Sequence, residues 1–402
     1  MDHKFYWGIL AVAGFVTWGC MTFRYVGNGF SLALAVFGIA VLILSVTEKY
    51  WPKFKIPANL RNALISLYGI LFIVGIVQYD SLRNLVGGSY SAVTLFSITA
   101  PFWMILYLGR GWDIRKTTAI VLFGNLYAFC FYGFWLYFTA KQDRFSSFYG
   151  SPPEVGMLLD LFLPFSVAVG MYYWENYKWR IATFLLIPFE IIALLLTETR
   201  GSYLAISVAS LVTFFVWING GRNKISTWKN LIIAGFISCI CVCFAAYTFF
   251  IGAESAARMA GGERLLMWES SYYMWKDHPI WGIGLSEWSN AYNDPKSEYF
   301  MEQKRETTNV MPHNIYIFFL STGGLVAFSG VLLYMLFMLK YLIKMINSHR
   351  ENPMVWAMLF MFIAFMAHGM VDGSLISKHI GRVFYLFMGL GILFVEEKCK
   401  KI

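Results

Sequence analysis

Charged residues are scarce in this sequence. Only 14% of its 402 residues are Asp, Glu, Lys or Arg, whereas 58% are hydrophobic. Since a soluble domain usually carries about 25% charged residues, this composition excludes an ordinary soluble globular protein. The apolar residues form runs close to the roughly 20 residues that a helix needs to cross a bilayer. The sequence therefore predicts an all-α polytopic membrane protein.

Several signatures of cofactor chemistry are also missing. The sequence has no glycine-rich nucleotide loop of the GxxxxGK[ST] type, no His/Cys metal constellation and no DxD pair for a divalent ion. None of its six cysteines lies in the long polar stretch 252–313, so we expect no disulfide to brace that stretch. We therefore expect no cofactor and no metal. Arginines, rather than a cation, would have to stabilise a developing anion.

The apolar runs predict about twelve transmembrane helices, which would put both termini on one side of the membrane. The approximate limits are 5–22, 30–46, 60–78, 91–108, 117–139, 155–173, 181–197, 202–218, 231–251, 314–339, 354–370 and 380–395. The first run reads as an anchor rather than as a cleavable signal peptide. Of the 32 Lys and Arg residues, 19 lie in loops on the terminal side. The positive-inside rule then places both termini in the cytoplasm and the long loop outside. The net charge of +9 follows from this topology and gives no reason to expect a nucleic-acid partner.

We expect one integral membrane domain. Residues 1–251 would hold helices 1–9, residues 252–313 the long outer loop, and residues 314–402 helices 10–12 and a cytoplasmic tail. Within the loop, an amphipathic helix is predicted from Glu263 to Lys276, after two glycines and before His278-Pro279. Its apolar face would carry Leu265, Leu266, Trp268, Tyr272 and Trp275, and its polar face Glu263, Glu269, Ser270 and Lys276. Such a helix would lie at the interface or cap the bundle.

Two arginines lie in short outer connections between predicted spans. Arg200, in TETRGSYL, precedes the start of a helix, where anions are favoured, and its planar fork suits a phosphate or pyrophosphate. A pair with Glu198 is the structural alternative. Arg144, in KQDRFSSF, is either a further substrate contact or an interfacial anchor near Asp143.

The long loop begins and ends with candidate groups. Arg264 lies at the start of its predicted helix, as a second cation or as a surface residue paired with Glu263 or Glu269. His313 lies where the loop enters a late span, where an imidazole can take a proton near neutral pH or simply cap the helix. Asp372, in a short outer connection, could orient His313 or a cationic partner.

Carboxylates and tryptophans complete the candidates. Asp160 and Glu190 are single carboxylates within spans, where such groups are costly and are either functional or hydrogen-bonded between helices. Four tryptophans of the loop could stack on sugars: Trp268, Trp275, Trp281 and Trp288.

Three patches together resemble the bacterial O-antigen ligase and polymerase superfamily. They are TETRGSYLAISVAS, GERLLMWESSYYMWKDHPIWGIGLSEW and MPHNIYIFFLSTGGLVAFSG, which cover about sixty residues. The first resembles the Thr-x-Thr-Arg/Ser-Arg-Gly segment of the family, the second its Arg-containing helix and Gly-x-Gly turn, and the third its His-Asn entry into a late span. Their order and the loop before His-Asn also fit.

The resemblance implies a glycosyltransferase of the bacterial inner membrane. Its donor would be a glycan on undecaprenyl pyrophosphate, bound among membrane lipid and presented at the periplasmic face. Its acceptor would be a lipid A–core sugar for a ligase, or another repeat unit for a polymerase. His313, Arg200 and Arg264 would then be catalytic, with Arg144, Asp160, Asp372, Trp268 and Trp281 binding substrate. A twelve-helix transporter is the alternative from another class, although the two halves of the chain do not match each other.

Overall fold

The computed structural model describes residues 56–78, 82–111, 115–149, 151–219, 260–301 and 310–396. Every longer element in these ranges is a helix. In chain order they are α1 (Ala58–Val77), α2 (Leu82–Leu85), α3 (Ala92–Ser97), α4 (Ala100–Gly111), α5 (Arg115–Thr139), α6 (Pro152–Tyr172), α7 (Tyr177–Leu196), α8 (Arg200–Asn219), α9 (Ala260–Asp277), α10 (Trp288–Asn293), α11 (Ile315–Ser348), α12 (Pro353–His368) and α13 (Lys378–Val395).

Seven of these helices are long and apolar enough to cross a membrane: α1, α5, α6, α7, α8, α11 and α13. Two shorter apolar stretches, Ala92–Tyr107 and Pro353–His368, match two further predicted spans. The all-α membrane class is therefore confirmed for the described ranges. Predicted spans 5–22, 30–46 and 231–251 lie outside them, so the number twelve stays a prediction.

Asparagine side chains fix where several helices begin. Asn314 accepts hydrogen bonds from the backbone N–H groups of Tyr316 and Ile317 at 2.9 and 3.1 Å, which caps α11. Asn176 and Asn352 cap α7 and α12 in the same way. Such caps satisfy backbone donors that have no partner within the helix.

The centre of the bundle is formed by α6, α8 and α12, which pack on one another. On one side α13 packs against α4 and α6, and α7 covers α6. On the other side α1 and the loop helix α9 both pack against α11. The outer loop is therefore anchored on the same helix that His313 precedes.

Two predicted spans are interrupted. The span predicted as 91–108 divides into α3 and α4, with Ile98 and Thr99 between them. The span predicted as 314–339 runs on to Ser348 and is broken at Gly324, which has φ 63° and ψ −163°. Only glycine adopts such backbone angles easily, so this residue permits the break.

The loop segment after α9 enters the break in α11. The N–H groups of Ile283 and Gly284 donate to the carbonyls of Ser321 and Thr322 at 3.1 and 3.0 Å. In return, the N–H groups of Leu325 and Val326 donate to the carbonyls of Pro279 and Ile280 at 2.9 and 3.3 Å. Backbone groups that the broken helix frees are thus satisfied by the loop, as a broken helix within a membrane protein requires.

Two side chains after α1 hold this insertion. The Gln78 amide donates to the carbonyl of Thr322 at 2.8 Å and to that of Trp281, and it accepts from the N–H of Leu285 at 3.1 Å. Asn84 accepts from the N–H of Ser286 at 2.9 Å. The outer loop is therefore joined to the bundle by specific polar contacts at its middle as well as by its ends.

The loop helix exists, but the prediction of its faces was wrong. Glu263, Ser270 and Ser271 are buried together with Met267 and Met274. Leu265, by contrast, is 63% exposed. The face that packs inward is therefore mixed, because its polar groups find partners in the loop itself. The Ser271 hydroxyl accepts from Trp288 Nε1 at 2.8 Å, and the Glu263 carboxylate accepts from the Tyr292 hydroxyl at 3.1 Å.

Candidate functional site

The turn between α7 and α8 presents Arg200 at the first position of α8, with its side chain exposed. Glu198 in this turn has φ 49°, which non-glycine residues adopt rarely and often near functional sites. Thr197 and Thr199 are buried, and the Thr199 hydroxyl donates to the carbonyl of Pro152 at 3.1 Å. The turn is thus a constrained segment that fixes where Arg200 emerges.

Arg144 braces this turn. Its Nε donates to the carbonyl of Thr197 at 2.8 Å and its Nη2 to that of Glu198 at 3.1 Å. These carbonyls lie at the C-terminal end of α7, where a cation is also favoured by the helix dipole. The structure thus gives Arg144 a clear structural role beside Arg200. Whether it also touches substrate stays a prediction.

His313 contacts Asp372, the partner suggested for it by the sequence. Nδ1 of His313 lies 3.1 Å from Oδ1 of Asp372, with the histidine side chain 33% exposed and the aspartate 10% exposed. His313 has φ 49°, so its backbone too is held in an uncommon conformation. An imidazole that is fixed at one nitrogen by a carboxylate and reachable from solvent has the geometry of a general base.

The Asp372 carboxylate is itself held in place. Burial alone would raise its pKa, but His313, His368 and the N–H of Gly373 hold the pKa below its ordinary value. The Gly373 N–H donates to Oδ1 at 2.7 Å, so the same oxygen faces both the backbone and His313. Asp372 therefore stays ionised at neutral pH and can stabilise a proton taken up by His313.

Contacts from the two residues after His313 connect the start of α11 to the connection between α12 and α13. Asn314 Nδ2 donates to the carbonyl of Met370 at 2.8 Å, and the N–H of Ile315 donates to that of Gly369 at 2.8 Å. Together with the pair to Asp372, they fix the loop exit against residues 369–372.

A second histidine–carboxylate pair lies beneath this site. Nδ1 of His368 is 2.7 Å from Oδ2 of Asp160, and the two side chains are only 2% and 1% exposed. Asp160 was expected to bind substrate; the structure shows its contact with a buried imidazole, and a substrate contact stays a prediction. His368 was not among the predicted site residues. The available signal was that an ionisable group within a span needs a partner. The other intramembrane carboxylate, Glu190, accepts from the Ser166 hydroxyl at 2.9 Å, which matches the helix-packing alternative.

The buried pair touches the helix that Arg200 begins. A Cβ added to Gly201 would lie 2.7 Å from Nε2 of His368 and 2.9 Å from Cγ2 of Val371. Only a residue without a side chain permits this approach. The start of α8 is thus packed directly on residues 368–371, and the N–H of Asp372 donates to the carbonyl of His368 at 3.0 Å. One short connection therefore contacts both the Arg200 helix and His313.

The loop helix contacts the residue before His313. Trp268 Nε1 donates to the carbonyl of Pro312 at 2.9 Å, next to His313. Arg264 lies four residues earlier, half-buried, on the same face of α9 as Trp268. Trp281 is 37% exposed, whereas Trp288 is only 1% exposed and stacks on Tyr292. The prediction that Trp288 stacks on a sugar was therefore wrong.

Two parts of the chain thus contact residues 368–372: the start of the Arg200 helix, through Gly201, and the His313 entry. The Arg264 helix contacts the His313 entry through Trp268 and Pro312. A base held by a carboxylate and cations at the edges can serve a transfer reaction with an anionic leaving group. Across the described ranges, no three His, Cys, Asp or Glu side chains are grouped closely enough to hold a metal ion.

Comparison with known proteins gives one match. Residues 181–332 match the family model described as O-antigen ligase. No curated protein matches the chain. The matched range contains the three patches of the sequence resemblance, and with them Arg200, Arg264 and His313. This match supports the resemblance to the O-antigen ligase superfamily over that part of the chain.

Proposed function

We propose that the protein is an O-antigen ligase-type glycosyltransferase. It would move a glycan from undecaprenyl pyrophosphate to a lipid A–core sugar hydroxyl at the periplasmic face of the inner membrane. The observation that carries this proposal is the His313–Asp372 pair, 3.1 Å apart, at the end of a loop within the matched family region. The proposal includes cytoplasmic termini, as the distribution of Lys and Arg predicts.

The reaction would be a single displacement. The acceptor hydroxyl attacks the anomeric carbon while its proton passes to Nε2 of His313. The bond from that carbon to the pyrophosphate oxygen breaks, and the electron pair leaves with the lipid pyrophosphate. Because Nδ1 already faces Asp372, Nε2 is the nitrogen available to the acceptor. Direct attack would invert the anomeric centre.

Arg200 and Arg264 would bind the pyrophosphate. Charge-assisted hydrogen bonds from guanidinium groups are the strong kind, and they stabilise the charge that grows on the leaving oxygen. This arrangement needs no divalent ion. Arg144 would support Arg200 through the Thr197 and Glu198 carbonyls, in addition to any direct contact. Trp268 and Trp281 would lie against sugar rings.

An in vitro assay tests this proposal with purified protein, a radiolabelled undecaprenyl-pyrophosphate glycan and lipid A–core. Transfer should persist in EDTA, and Arg200→Ala should reduce the rate by at least 100-fold, since loss of one transition-state contact to a developing anion costs about 10²–10³. Activity abolished by EDTA and restored by Mg²⁺ would contradict the metal-free reaction.

A repeat-unit polymerase is the second candidate because the family resemblance covers both activities and both use the same donor. Deleting the gene separates them. Loss of a ligase leaves long glycans on the carrier lipid, whereas loss of a polymerase leaves single repeats on lipid A.

A further inference from the structure

The outer loop contains a polar cavity that the reaction described above does not use. Its volume is about 320 Å³, near the lower end of the roughly 300–1,000 Å³ of small-ligand sites. Its lining comes entirely from residues 278–299, and it includes His278, Glu287, Asn290 and Lys296. The cavity is therefore a property of the loop and not of the membrane bundle.

The walls of this cavity are fixed by buried hydrogen bonds. The Ser270 hydroxyl of α9 donates to the carbonyl of Tyr299 at 2.8 Å, which holds the far end of the segment. Trp288 and Tyr292 of α10 are fully buried against α9, where they bond to Ser271 and Glu263. The segment that forms the cavity is thus pinned to α9 at three points and does not need to fold around a ligand.

The polar groups of the cavity suit sugar hydroxyls. An amide, carboxylates, an imidazole, an ammonium and a serine hydroxyl together supply both donors and acceptors, as a hydroxyl group requires. The Asn290 amide donates to Glu287 at 2.9 Å, so this carboxylate is already oriented.

The charges of the cavity argue against an anionic ligand. Glu287 and Glu298 contribute two carboxylates, and Lys296 is the one lysine or arginine among the lining residues. Asp277 and Asp294 flank them in sequence. A phosphate would meet net negative charge here, in contrast to the arginines that are proposed to bind the donor.

The position of the cavity relates it to the reaction site. His278 follows the end of α9, ten residues after Trp268, whose indole bonds to Pro312 beside His313. Ten helical residues span about 15 Å. A ligand in the cavity would thus lie within reach of a glycan of several sugars whose end is at His313.

We propose that this cavity binds the acceptor glycan, through uncharged sugar units that lie beyond the unit that reacts. This inference rests on the proposed transferase function and adds where and how the acceptor is held. It assigns acceptor recognition to residues 287–298, apart from the arginines that would bind the donor.

Steady-state kinetics test the proposal with Asn290→Ala and Glu298→Gln in the full-length protein. Each should raise the KM for lipid A–core about 5- to 10-fold, as expected for loss of one hydrogen bond, with kcat and the donor KM unchanged. Glu269→Gln is the matched control, because Glu269 is exposed on α9 outside the cavity lining. An acceptor KM within twofold of wild type in both cavity variants, or an equal rise in the control, would overturn the proposal.

Amide hydrogen exchange tests whether the cavity binds the glycan without any transfer reaction. Dephosphorylated core oligosaccharide, released from its lipid, should slow amide hydrogen exchange at residues 287–299 in the wild-type protein, and about 5- to 10-fold more of it should be needed for the same protection in Asn290→Ala. The phosphorylated form should bind more weakly. No protection, or tighter binding of the phosphorylated form, would overturn the proposal. Protection in a protein that transfers no glycan would leave the glycan site standing while the transferase function fails.

Discussion

The contact between His313 and Asp372 leads to a graded prediction for two substitutions at position 372. Oδ1 of Asp372 accepts from the Gly373 N–H at 2.7 Å and faces His313 Nδ1 at 3.1 Å. In Asp372→Asn the amide oxygen should keep this place, because the Gly373 N–H still needs an acceptor. The histidine then keeps its orientation and tautomer and loses only the full negative charge beside it. Asp372→Ala removes both the oxygen that orients the histidine and the negative charge.

The magnitudes follow from the kinds of hydrogen bond involved. A hydrogen bond to a charged group is worth about 1.5–3 kcal/mol and a neutral one about 0.5–1.5 kcal/mol. Asp372→Asn should therefore cost about 1–1.5 kcal/mol, or about 5- to 15-fold in kcat. Asp372→Ala should remove the whole hydrogen bond to the charged group, which lowers kcat about 10- to 150-fold.

The assay is glycan transfer at saturating donor and acceptor, measured for both variants across pH. Wild-type kcat in Asp372→Ala would refute the reasoning. A loss in Asp372→Asn as large as that in Asp372→Ala would show that the amide had reversed.

Thermal unfolding of the same variants provides the folding control. Because the folded state holds the pKa of Asp372 below the unfolded value of about 3.9, its charge stabilises the fold at pH values above that. This contribution is lost as the pH falls through the folded pKa. The melting temperatures of wild type and Asp372→Asn should therefore differ at pH 6, and the difference should shrink as the pH falls below about 3.9.

Three further substitutions test the supporting structure. Arg144→Lys should lower kcat about tenfold in the transfer assay, because a single ammonium does not reproduce the two backbone hydrogen bonds of the guanidinium fork. Gly324→Ala should lower the melting temperature strongly, since its Cβ would meet backbone at about 2.2 Å, whereas Gly124→Ala, in open space, should not. His368→Ala should destabilise the protein by about 3 kcal/mol or more by unpairing a buried carboxylate, while partly exposed His313→Ala should leave the melting temperature nearly unchanged.

The positions of the helices and the His313–Asp372 contact could be predicted from nearby sequence patterns. The helix expected at Glu263–Lys276 exists as Ala260–Asp277. His278-Pro279 follows its last residue, as expected, whereas the two glycines expected before it lie in its first turn. The suggestion that Asp372 orients His313 is confirmed as a contact. His313 ends the long loop before α11 and Asp372 lies in the short connection after α12, at the same end of neighbouring helices. The apolar runs likewise located the membrane helices of the described ranges.

Features that depend on distant partners could not be predicted in this way. The break at Gly324 exists because loop backbone replaces the missing helical hydrogen bonds, and nothing in STGGLVAF specifies that partner. The face of α9 was misjudged because Glu263 and Ser271 meet Tyr292 and Trp288 across the loop. Asp160 pairs with His368, which is 208 positions away in the sequence.

The most direct test of the central claim is the rate of glycan transfer by purified His313→Ala. The assay uses the undecaprenyl-pyrophosphate donor and lipid A–core acceptor at neutral pH. Wild type is measured in parallel, and equal melting temperatures of the two proteins provide the folding control. If His313 removes the acceptor proton, the rate should fall by about 10²–10⁴ and donor binding should be retained. Transfer by His313→Ala at the wild-type rate would contradict the account.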